Sequence, residues 1–114
     1  MSAIEVVLLY DYYGDLLTDR QKECFEMRYY QDLSLGEIAE ELGISRQGVH
    51  ENLNRAEALL RNMEAKTGCA GRDQAYRKAV KQILCAAEKL QQDPNPSVST
   101  LAGDIITAAR GLEE

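Results

Sequence analysis

The stretch Ser34-Leu35-Gly36-Glu37-Ile38-Ala39-Glu40-Glu41-Leu42-Gly43-Ile44-Ser45-Arg46-Gln47-Gly48-Val49-His50 decides the fold. Ser34 and Glu37 form a capping box, in which the serine side chain accepts from the Glu37 amide and the glutamate reaches back. Ile38, Ala39 and Leu42 then share one helical face. Gly43 follows as a left-handed stop, a conformation that residues with a Cβ adopt only at a cost. Ile44 plugs the core from the turn, and Ser45 caps a second helix that carries Val49, Leu53, Ala56, Leu60 and Met63 at spacings of 4, 3, 4 and 3. A short helix, a tight glycine turn and a second helix with a free N-terminal face make residues 34–61 a helix-turn-helix. Ala39 is small where the two helices cross.

The flanking sequence is helical too, and no segment alternates like a strand. A first helix is predicted over about 2–14, with Ile4, Val7, Leu8 and Tyr12 along one face. Thr18 caps a second over about 19–31, with an acid in its first turn as the macrodipole favours. Cys24, Met27 and either Tyr29 or Tyr30 face inward there. The helix capped by Ser45 runs to about residue 66. Thr67-Gly68-Cys69-Ala70-Gly71-Arg72 then breaks the pattern, which divides the chain into a helix-turn-helix domain over 1–67 and a C-terminal helical arm over 68–114. A fifth helix over about 73–92 carries Tyr76, Val80, Ile83, Leu84, Ala87 and Leu90 on one stripe. Pro94 and Pro96 end it, because proline disfavours helix in the residue before it. A last helix over about 97–112 carries Val98, Leu101, Ala102, Ile105, Ala109 and Leu112. These two stripes need a partner surface, either the first domain or a second copy of the chain. The fold class is all-α: a helix-turn-helix domain plus two C-terminal helices.

Composition excludes several classes of function. No apolar run exceeds the five residues from Val6 to Tyr10, so membrane insertion is not expected. The start lacks a basic stretch before an apolar one, and a cytoplasmic location follows. Cys24, Cys69 and Cys85 form no C-x-x-C pair, so neither a disulfide framework nor a zinc site is indicated. Cys24 and Cys85 sit beside apolar residues and read as small hydrophobes. His50 is the only histidine, and no serine or cysteine lies at a helical neighbour spacing from it. No catalytic, cofactor or metal residue is named, and the chain reads as a non-enzyme.

The net charge of −6 is uneven: residues 1–67 hold 13 acids and 7 bases, whereas residues 68–114 hold 6 of each. The exposed face of the second motif helix offers Arg46, Gln47, His50, Glu51 and Asn54. Arginine pairs with guanine and glutamine with adenine, so Arg46 and Gln47 are placed to read base edges in a major groove. Gly48 lies beside them and costs about 1 kcal/mol of helix stability relative to alanine; either it admits a close backbone approach or it has no such role. Residues 34–61 hold five acids and three bases, and phosphates would meet repulsion there. A scaffold or protein-binding use of the motif is therefore the alternative. The only basic surface is on the fifth helix, where Arg77, Lys78 and Lys81 form one patch able to face RNA phosphates, extended by Arg72 and Lys89.

Leu33-Ser34-Leu35-Gly36-Glu37-Ile38-Ala39-Glu40, followed by Ile44-Ser45-Arg46-Gln47 and Val49, resembles region 4 of bacterial sigma factors, which recognises promoter DNA. With Leu9-Tyr10-Asp11-Tyr12-Tyr13-Gly14-Asp15-Leu16-Leu17-Thr18 upstream, Tyr29-Tyr30 ahead of the motif and Arg55-Ala56-Glu57 after it, residues 5–66 are more similar to the YlxM family. These are small bacterial proteins encoded beside components of the signal recognition particle; beyond Gly68 the resemblance is weak. It implies an all-α fold, no catalytic residues, and a role in binding the particle or regulating its genes. The sigma-like match maps Arg46, Gln47 and His50 to positions that face DNA. Two departures stand out: Gly48 replaces a usual helix former, and the surround is acidic. The leading expectation is thus a non-enzymatic accessory protein of the signal recognition particle, binding its RNA, its GTPase or both. The alternative is a transcription regulator using Arg46 and Gln47 on duplex DNA. A homodimer without cofactors is expected in either case.

Overall fold

Each helix start is set by a side chain that satisfies amides the helix itself leaves unpaired. In the computed structural model, which describes residues 2–113, Ser2 caps α1 (Ala3–Tyr13) by accepting from the Glu5 amide. A 3₁₀ turn (Gly14–Leu16) leads to α2 (Asp19–Tyr29), where Thr18 and Gln21 close a capping box. Ser34 and Glu37 close a second one at α3 (Leu35–Leu42), each hydrogen bond 3.1 Å long. Gly43, at φ 68°, stops α3 in the left-handed conformation, and Ser45 opens α4 (Arg46–Thr67) by accepting from the Gly48 amide at 2.9 Å. Gly68, at φ 63°, ends α4 in the same way. Then come α5 (Cys69–Gln91) and α6 (Pro96–Gly111), the latter capped by Asn95 with proline in its first turn. The fold is all-α, with the helix-turn-helix at α3–α4. None of these helices is long and apolar enough to cross a membrane.

The chain divides into two units, Met1–Ala70 and Gly71–Glu114. In the first, two apolar clusters share α2 and α4. Val6, Leu9 and Tyr13 of α1 meet Phe25, Leu60 and Ala70, with Tyr10 stacked on Phe25 at a centroid distance of 4.3 Å and the tilted Tyr29 ring at 4.5 Å. Cys24 of α2 meets Ile38, Ala39, Val49 and Leu53, and this second cluster locks the helix-turn-helix. Phe25, Ile38, Val49 and Leu60 are wholly excluded from solvent.

Several expectations need correction. On α1 the inward positions are Val6, Leu9 and Tyr13, while Ile4 is 83% exposed. Apolar residues nearly encircle this helix, so periodicity gives no phase. On α2 the largest buried residue is Phe25, beside Cys24, and of the tyrosine pair Tyr29 is the one that packs inward. The break expected over residues 67–72 shrinks to Gly68, and α5 starts at Cys69 rather than near Asp73. A distant side chain does the capping: Glu64 Oε1 accepts from the Ala70 amide at 3.0 Å and from the Tyr13 hydroxyl at 2.6 Å. Tyr13 also shares a 2.7 Å hydrogen bond with Thr67. No local sequence signal reports a cap supplied from six residues upstream.

The second unit is built differently. Its buried positions are Val80 and Ala87 on α5 and Ala102, Ile106 and Ala109 on α6, and Glu88 pairs with Arg110 at 3.6 Å. Most large members of the expected stripes are exposed instead: Tyr76, Ile83, Leu90, Leu101, Ile105 and Leu112. Ile106, absent from the expected stripe, is buried, and Cys85 is exposed rather than packed.

Candidate nucleic-acid interface

The first turn of α4 differs in chemistry from those of α2 and α3. Those helices have Gln21 and Glu37 three residues after the cap, whereas α4 has Gly48 there and no acid in its first turn. The positive end of the α4 macrodipole is therefore not offset by a carboxylate of its own, which favours an approaching anion. Arg46, Gln47, His50, Glu51 and Asn54 are all exposed on this helix, above the buried Val49 and Leu53. The Arg46 stem runs beside the start of α3, since a Cβ built on Gly36 would lie 4.0 Å from Arg46 Cδ. Asn54 Nδ2 and His50 Nε2 are 3.1 Å apart, one turn from each other, so the two side chains act as one polar ledge. Asn52, which sequence reasoning missed, donates to the Gly48 carbonyl at 2.8 Å and holds that first turn. The sequence signal for it was slight: an asparagine in a helix interior that bonds back one turn.

Gly48 also has a local reason to lack a side chain. A Cβ there would sit 3.1 Å from Ser45 Oγ, the oxygen that caps the helix, and 3.8 Å from Ile44 Cδ1. The glycine thus lets the cap sit close over the turn.

Two of the five acids in the motif are engaged internally. Glu37 is held in its capping box, and the hydrogen bonds from the Ser34 amide and side chain lower its pKa. Glu57 accepts from the Tyr29 hydroxyl. Burial, then the hydrogen bond and charge of Glu57, push the Tyr29 phenol up to about 12. Glu40, Glu41 and Glu51 remain exposed. The charges thus still oppose phosphate around the motif, but not at the α4 first turn.

The α5 residues Arg77, Lys78 and Lys81 are exposed and lie in the second unit, separate from the α4 set. Arg77 is paired with Asp73 at 3.0 Å, which blunts its charge. Lys78 and Lys81 have no ion pair among the described residues, and they line a shallow cleft with Tyr76, Val80 and Leu112.

The sequence that builds this fold is similar to those of known proteins. Residues 2–97 fit the pattern of UPF0122, described as "Putative helix-turn-helix protein, YlxM / p13 like". The chain belongs to the UPF0122 family. It is 44% identical over 110 residues to a UPF0122 protein of Thermoanaerobacter sp., covering 96% of this chain and 92% of the relative. It is 53% identical over 78 residues to one from Caldanaerobacter subterraneus, covering 68% and 67%. Against a UPF0122 protein of Acetivibrio thermocellus it is 46% identical over 110 residues, covering 96% and 89%. The UPF0122 match extends past Gly68 through all of α5 to the start of α6, further than the residues that carried the resemblance in the sequence.

Proposed function

We propose that this UPF0122 protein is a non-catalytic, cytoplasmic nucleic-acid-binding regulator that presents the first turns of α4 to a duplex major groove. Arg46 and Gln47 read base edges, and His50 and Asn54 flank them. The observation that carries this reading is the acid-free first turn of α4, with four exposed polar side chains around it. The acidic surround limits non-specific affinity, because phosphate neutralisation supplies most of that term. Discrimination then rests on base contacts, each bidentate pair contributing about 1–3 kcal/mol. The test is selection from a random duplex pool at low salt, followed by fluorescence anisotropy on the enriched sequence. Binding should fall with added salt, and Arg46→Ala should weaken it about tenfold or more while flattening sequence preference. An unenriched pool would remove this reading.

A second reading rests on a separate observation, the exposed Lys78 and Lys81 beside Arg77 on α5, which form no ion pair with another described residue. In it the chain serves the signal recognition particle, as the YlxM resemblance implies, with this patch on the particle's RNA and the helix-turn-helix as a scaffold or a GTPase contact. Co-purification with particle RNA should then drop when Arg77, Lys78 and Lys81 are changed to glutamate and persist in Arg46→Ala. The opposite pattern would favour the DNA reading.

A further inference from the structure

We infer that α5 and α6 of one chain pair with the same two helices of a second copy, forming an isologous four-helix bundle that carries two helix-turn-helix units. On α5, Tyr76, Ala79, Ile83, Ala86 and Leu90 follow one another at spacings of 3, 4, 3 and 4, and all are exposed. On α6, Leu101, Ile105, Ala108 and Leu112 do so at 4, 3 and 4, again all exposed. That alternation is the seam of helices packed nearly parallel or antiparallel in bundles. Within a single copy the seams are unused, because burial falls on the neighbouring strip of Val80, Ala87, Ala102, Ile106 and Ala109. The alanines of the seams let a facing helix approach closely.

Three features select a second copy as the occupant. The first is extent. Six large apolar side chains, each between 43% and 63% exposed, line the two seams. The α5 seam alone runs about 21 Å at 1.5 Å per residue. Six such side chains on two neighbouring helices go beyond the scattered single apolar residues that a monomer ordinarily leaves in water, and mark an interaction surface. The second is charge. Neither seam contains a charged residue, and residues 68–114 hold six acids and six bases, so two copies meet without net repulsion. Residues 1–67, with 13 acids against 7 bases, would repel a copy of themselves. The third is need. Residues 71–114 bury mostly alanine, and helical pieces this small ordinarily require a staple or oligomerisation. No disulfide joins the three cysteines, and no cluster of three metal-binding side chains is present among the described residues. A twofold pairing satisfies both seams at once, because each presents to its copy the surface it needs. It also places two recognition helices on one particle, whichever nucleic acid they meet.

Sedimentation equilibrium on the full chain across the micromolar range tests the pairing. The expected result is a mass twice the 12.8 kDa of one chain, falling to the single-chain mass in Ile83→Glu/Ile105→Glu with helical circular dichroism retained. Both positions are half exposed in a single copy, so the new carboxylates stay solvated there. Leu101→Glu, at the most exposed seam position, gives the same reading should the double variant lose helix. A wild-type chain that stays at single mass throughout overturns the inference. So does a double mass that survives all these substitutions.

Discussion

The two halves of this chain use apolar residues in opposite ways. In Met1–Ala70 the core is built from large side chains: Phe25, Ile38, Leu60 and Val49 have no solvent exposure, and the Tyr10 and Tyr29 rings both contact Phe25. In Gly71–Glu114 the buried residues are Val80, Ile106 and three alanines, while six large apolar side chains are exposed. A core of the first kind stabilises itself, since each large side chain contributes about 1.5–3 kcal/mol when removed from water. An arrangement of the second kind leaves that contribution unrealised within one chain. The charge follows the same division, with the deficit confined to the self-sufficient unit and the exposed seams set in a neutral one.

The largest effect should come from the centre of the first core. Phe25→Ala removes the ring contacted by Tyr10 and Tyr29, and a cavity of that kind costs about 3–5 kcal/mol. Leu101→Ala, at a site 63% exposed, should cost under about 0.5 kcal/mol in dilute single chains. Urea unfolding of both variants, followed by circular dichroism at low concentration, measures the contrast. Equal losses at the two sites would erase the distinction between the units.

How much of this was legible in the sequence follows the same line. The helix-turn-helix was readable because its signals are local: Ser34 with Glu37, then Gly43, then Ser45, each within one helical turn of what it caps. The α4 stripe was readable because its apolar residues from Val49 to Met63 repeat at spacings of 4, 3, 4 and 3. The inward face of α1 was not, because Ile4, Val6, Val7, Leu8 and Leu9 offer apolar residues in every direction and only the neighbours Phe25 and Leu60 select among them. The start of α5 depends on Glu64, whose reach to Ala70 is tertiary. For the candidate site, the exposed set on α4 was legible from periodicity, whereas the pairing of Arg77 with Asp73 and the engagement of Glu57 by Tyr29 required coordinates.

An intermediate effect is expected at the α3 cap, which belongs to the self-sufficient unit but lies at its surface. Ser34→Ala should destabilise by about 1 kcal/mol, as loss of an N-cap serine ordinarily does. Glu37 adds a pH dependence whose sign is fixed by its lowered pKa. The folded carboxyl holds its proton less tightly than the unfolded one, so its contribution is complete above the ordinary glutamate range near pH 4.3 and fades as pH falls through the lower folded value. Denaturation midpoints between pH 3 and pH 6 (a range of about three units around the ordinary value) should therefore fall less steeply in Glu37→Gln than in the wild type. An equal fall in the two proteins would mean that the capping box is not formed in solution.

A small stability effect, and the most informative one for function, is expected at Gly48. Alanine is favoured over glycine in a helix by about 1 kcal/mol, which pushes toward stabilisation. Against this, the new Cβ would press on Ser45 Oγ at 3.1 Å and weaken a cap ordinarily contributing about 1 kcal/mol. The two terms nearly cancel, so Gly48→Ala should change unfolding free energy by less than about 1 kcal/mol in either direction. If the first turn of α4 meets a phosphate or base edge at close range, the same substitution should weaken nucleic-acid binding well beyond its effect on stability. Anisotropy titrations beside thermal melts separate the two quantities. Unchanged binding with raised stability would assign Gly48 no part in recognition and shift attention from the acid-free end of α4 to the exposed lysines of α5.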